Sequence, residues 1–66
     1  MTYDITYATI PGSGAPITRT MRVQSSLPTP EIWALSRRMA HRTEYTCEGD
    51  RRPLEAYVVT SVEVVP

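Results

Sequence analysis

Five of the chain's seven cationic residues, all arginine, crowd into sixteen positions: Arg37, Arg38, Arg42, Arg51 and Arg52. A guanidinium is a planar fork of donors that meets carboxylate or phosphate in bidentate fashion, which the point charge of Lys cannot do. Grouped on one side of a helix, such residues could track a nucleic-acid backbone or dock on an acidic protein surface. The competing reading is plainer. Cations near a helix C-terminus complement its macrodipole, and exposed charge is the normal outer face of a helix.

The other chemistry-bearing residues assemble into nothing stronger. His41 has no second His, no Cys pair and no carboxylate at ligand spacing, so it reads as an exposed helix residue. A metal site needs at least three protein ligands. Cys47 is the single cysteine, which excludes an internal disulfide and fits a reducing compartment. It reads as a small half-buried hydrophobe in a strand; nothing sets it against His41 as nucleophile and base. Glu44, Glu48, Asp50, Glu55 and Glu63 are scattered over edges and turns, in a chain too short for a deep pocket. Gly12-Ser13-Gly14 lies between prolines, without the helix that a phosphate cradle requires. No enzyme, metal or cofactor is expected.

Three of those arginines belong to one segment, Thr29 to Thr43, which also holds the only Trp and the only His. Thr29 suits an N-cap and Pro30 the first helical position, predicting a helix over about Pro30 to Arg42. At 100° per residue Ile32, Leu35, Ser36, Met39, Ala40 and Thr43 fall on one face, with Trp33 on its flank. Trp33 reads as core, or as a staple against Pro28. Arg37, Arg38 and His41 point the other way, and Arg42 lies at the border.

An amphipathic helix must cover something apolar, and its neighbours read as strands. Tyr3 to Ile10 alternates, with Tyr3, Ile5 and Tyr7 on one face. Pro11-Gly12-Ser13-Gly14-Ala15-Pro16 breaks it. Ile17 to Gln24 then alternates again, with Ile17, Met21 and Val23 together, so the two make an antiparallel hairpin. Arg19 interrupts that apolar face, at a place where its stem can pack while its head reaches water. Glu44 to Glu48 reads as a short strand, with one further helical turn as the alternative, and Gly49 to Pro53 as a turn. Leu54 to Val65 is apolar on both faces, which predicts a central strand. The fold class is therefore α+β: one helix on an antiparallel sheet of three to four strands, ββαββ or ββαβ, in a two-layer sandwich over residues 1–66 as a single domain.

Seven acidic residues balance seven basic ones, so global charge names neither a nucleic-acid nor a membrane partner. There is no apolar run of membrane-spanning length and no signal-like N-terminus, which predicts a cytoplasmic protein. Lys, Asn and Phe, all encoded by AT-rich codons, are absent, which points to a GC-rich genome. In length and in order of elements the chain resembles small phage and mobile-element inhibitors, the anti-CRISPR proteins in particular. That resemblance implies a stoichiometric inhibitor that binds a host protein or nucleoprotein complex in the host cytoplasm. Arg37, Arg38, Arg42, Arg51 and Arg52 are the expected partner-binding residues. Two other readings stay open: a small nucleic-acid-binding protein whose arginines contact phosphates, and a homodimer that pairs sheet edges.

Overall fold

The computed structural model describes residues 1–10 and 14–66. Pro11, Gly12 and Ser13, the first half of the expected hairpin loop, lie outside the described residues. Strand β1 (Thr2–Thr9) pairs antiparallel with β2 (Thr18–Gln24) in the hairpin expected from their alternation, with Ile5 opposite Met21 and Tyr7 opposite Arg19. Helix α1 (Thr29–Thr43) follows, then β3 (Tyr57–Val65), which returns antiparallel along the other side of β1. The sheet order is β2-β1-β3, and α1 packs across one face. This is the ββαβ form of the expected two-layer sandwich.

The alternation of β1 is realised residue by residue: Tyr3, Ile5, Tyr7 and Thr9 are buried, and the residues between them are half-buried. One buried cluster joins Tyr3 and Ile5 to Ile32 of the helix; a second joins Tyr7, Ala40 and Tyr57. The Tyr3 hydroxyl donates to the Leu27 carbonyl at 2.6 Å, so this large ring is buried with its polar end satisfied.

The helix begins one residue earlier than expected. Pro28, extended at φ −70°, is the N-cap, and its carbonyl accepts from the N–H groups of Glu31 and Ile32 at 3.0 and 3.1 Å. Thr29 is already helical and makes no side-chain cap. The buried line is Ile32, Ser36, Ala40 and then Glu44. Small side chains at Ser36 and Ala40 let the helix lie close to the sheet, and the Ser36 hydroxyl donates to the Trp33 carbonyl at 2.8 Å. This roll of the helix corrects two expectations. Leu35 is 41% exposed, and Trp33, expected in the core, is 43% exposed.

Glu44–Glu48 is not a strand. It continues α1 as a single π-helical turn, and Gly49, in the left-handed region at φ 68°, ends it. Cys47 therefore lies exposed on a helical turn, not half-buried in a strand. A buried thiol would have made substitution costly; here Cys47→Ser should shift stability by no more than about 0.5 kcal/mol in a denaturant melt.

Strand β3 starts at Tyr57, after a 3₁₀ turn at Leu54–Ala56, and it is an edge strand, not the central one. Its two apolar faces come from a bulge. Tyr7 pairs with Val59 but Thr6 with Ser61, so Thr60 is an extra residue. The bulge reverses the facing of the strand: Tyr57 and Val59 point to the helix before it, Val62 and Val64 after it. Two half-length alternations in opposite phase imitate a strand buried on both sides.

Candidate functional site

The structure separates the five expected arginines into three groups. Arg38 and Arg42, one turn apart on α1, are exposed on its outward side. Tyr45 follows in the π turn, 49% exposed, and the Arg51 guanidinium sits 4.1 Å from its ring centroid. That cation–π contact draws Arg51 from the following turn onto the same side. Arg37 is exposed toward β3, beside Trp33.

Arg52 is folded in. Its side chain is only 11% exposed and pairs with Asp50 at 3.6 Å. A guanidinium N–H donates to the Ala15 carbonyl, and a side chain added at Gly14, which has a φ of 69°, would run into the same guanidinium. Arg52 thus ties the segment before β2 to the turn after the helix. Its backbone carbonyl meets His41 Nε2 at 3.1 Å, and the His41 ring stands edge-on to Tyr57. His41 is therefore half-buried and engaged, not the free helix residue expected from the sequence.

The ion pairs show why the remaining arginines stand apart. Among the described residues, Arg19 pairs with Glu44, Arg22 with Asp4 and Arg52 with Asp50. Arg37, Arg38, Arg42 and Arg51 pair with nothing there. The acids left over, Glu31, Glu48, Glu55 and Glu63, are spread over helix start, helix end, 3₁₀ turn and β3. A neutral chain thus carries a local excess of positive charge on its helix. Exposed Trp33 stands beside Arg37 and exposed Tyr45 beneath Arg51, which adds apolar contact area to charge. Neither a protein-family model, nor a curated protein, nor a solved structure matches the chain. No helix among the described residues is long and apolar enough to cross a membrane.

Under the helix C-terminus lies a polar cluster that sequence reasoning missed. Glu44 is fully buried, and its Oε1 accepts from the Tyr7 hydroxyl at 2.6 Å and from Arg19 Nε at 2.8 Å. Glu44 Oε2, Arg52 Nη1 and the Tyr57 hydroxyl are buried without hydrogen-bond partners among the described residues. The available signal was a pair of opposites: Arg19 breaking the apolar face of β2, and a carboxylate one residue past the helix. Charges that break two apolar faces are candidates to meet.

Two tyrosines of the cluster link the fold to alkaline pH. Burial, then the hydrogen bond to Glu44, raises the Tyr7 hydroxyl well above an ordinary phenol; burial and the neighbouring Asp50 push Tyr57 up to about 12. Both groups favour the neutral form when folded. Their stabilisation is complete below the unfolded value of 10.0 and is lost as pH rises from there toward the folded values. Circular dichroism and tyrosinate absorbance should therefore show unfolding and late tyrosine ionisation together above pH 10, and Tyr7→Phe should move that transition. At the other end, the hydrogen bond from Arg22 lowers Asp4 and the backbone N–H of Arg52 lowers Asp50. Their contributions are present above the usual carboxylate range and are lost on acidification.

Proposed function

We propose that this chain is a small non-enzymatic binding protein, an inhibitor of the kind carried by phages and mobile elements. It acts by laying its arginine-bearing helix on an acidic protein surface of a host complex. One observation carries the reading: Arg37, Arg38, Arg42 and Arg51 are exposed and without ion pairs among the described residues, and exposed Trp33 and Tyr45 stand beside two of them. Arginine and aromatic residues together are the usual energetic centre of a protein interface. The neutral total charge weighs against free nucleic acid, whose binding domains are usually basic overall.

The test is affinity capture from nuclease-treated lysate of a GC-rich bacterial host, followed by mass spectrometry and calorimetric titration of the captured protein. A saturable protein partner at stoichiometric ratio is the expected result. Retention that disappears with nuclease, with affinity falling steeply as salt rises, would replace this reading with the nucleic-acid one.

A further inference from the structure

Among the described residues, the sheet order leaves the outer edge of β3, a strand of nine residues, unpaired. Natural proteins shield such edges with charge, proline or a covering element. The opposite edge, β2, carries Arg19 and Arg22, whereas β3 has five valines and a single charge, Glu63. Beside this edge α1 sets Trp33, Ala34 and Arg37 against Val58 and Val59, enclosing a groove of about 380 Å³. A helix flanking a free strand edge is the arrangement in which a peptide can add to a sheet.

The groove also specifies what would add. Trp33 and Arg37 are one turn apart, about 6 Å along the helix axis. Residues i and i+2 of an extended strand, which face the same side, are about 7 Å apart. The two spacings match, so a strand laid along Tyr57–Val59 can offer one side chain to the indole and the next on that side to the guanidinium. Arg37 makes no ion pair among the described residues, so the complementary group is a carboxylate. The bulge at Thr60 ends the regular edge, so the added strand is short.

We infer that this groove takes an extended segment of a partner protein, with an apolar side chain and a carboxylate two residues apart, as a fourth strand on β3. This rests on the reading of the chain as a binder of acidic protein surface and names the element bound.

The probe is a phage-displayed library of random linear peptides selected on the folded, full chain. The enriched peptide is then titrated into isotopically labelled protein and followed by amide NMR. The expected consensus has Asp or Glu two residues from an apolar or aromatic residue. Shifts should fall on the Val58 and Val59 amides and the Trp33 indole. Arg37→Glu should weaken binding about tenfold or more, as loss of a desolvated charge pair does. Arg22→Gln, on the opposite sheet edge, should leave it within about twofold, since an exposed charge there contributes little. Methylating peptide amides that face β3 should abolish binding, while methylating the alternate amides should not.

Absence of that consensus, shifts centred on β2, or indifference to Arg37→Glu or to amide methylation would each overturn the proposal. So would sedimentation as a dimer whose β3 amides are already protected without peptide, because a second copy would then hold the edge. The two readings fail separately. Indifference of the captured partner to reversal of Arg38 and Arg42 counts against the arginine face, whereas the peptide result depends on Arg37.

Discussion

Arg19→Met should destabilise the fold by about 3 kcal/mol, because it leaves the buried Glu44 carboxylate without its countercharge. Glu44 is fully buried, and one oxygen carries both its ion pair and its hydrogen bond while the other has no partner among the described residues. A buried carboxylate deprived of its countercharge is an uncompensated polar group in an apolar setting, which is costly. With Arg19 gone, only the Tyr7 hydroxyl remains. Met keeps the stem that lies across from Tyr7 on the neighbouring strand, so packing loss is small. The Arg19 side chain is 49% exposed, which lets water replace part of its charge and keeps the effect toward the lower end of the range for buried pairs.

A domain of this length has only about 3–10 kcal/mol of total stability, so the loss would be visible as a large fall in denaturant midpoint. Replacing the whole cluster, Arg19→Met and Glu44→Leu with Tyr7→Phe so that no buried hydroxyl loses its acceptor, should restore most of it, since apolar groups of similar volume often match a buried ion pair. The full double-mutant cycle isolates the coupling. A single Arg19→Met variant within about 0.5 kcal/mol of the parent would show that the pair does not hold the helix end to the sheet.

Reversing Arg38 and Arg42 together to Glu should weaken binding to the captured partner by about 2–5 kcal/mol if those guanidinium groups are desolvated in the complex. The two lie one turn apart on the outward side of α1 and make no ion pair among the described residues, so no described carboxylate competes for them. Stability should fall by no more than about 1 kcal/mol, the cost of two anions near a helix C-terminus. Replacement by Lys separates charge from geometry. If bidentate contacts matter, the Lys variant loses affinity although it keeps every charge. Unchanged affinity of the Glu variant would remove this face as the binding site.

Much of the architecture is local and was therefore legible. The period of two in Tyr3–Thr9 and Thr18–Gln24, the loop residues between them and the 3.6-residue period of the helix each arise within a few neighbours. From these follow the hairpin, the helix and the two-layer arrangement. The five residues Glu44 to Glu48 were ambiguous because so short an alternation fits a strand or a helical turn equally. What decided it was Glu44 meeting Tyr7, 37 positions away. The facing of Val62 depended on a bulge that exists only through pairing with β1. Trp33 reached the surface because Ser36 and Ala40 set how the helix rolls on the sheet.

The candidate site divides in the same way. That arginines cluster between positions 37 and 52 was plain in the sequence. Which of them are unpaired was not, because ion pairing depends on which acids the fold brings near. The turn after the helix spends Arg52 on Asp50 and Ala15, and stacks Arg51 on Tyr45. Sequence alone determined that this protein would be a helix laid on an antiparallel sheet with its arginines gathered on and after the helix. Among the described residues, tertiary structure decided which arginines face outward unpaired and which sheet edge stays open, because both depend on contacts between residues far apart in the chain.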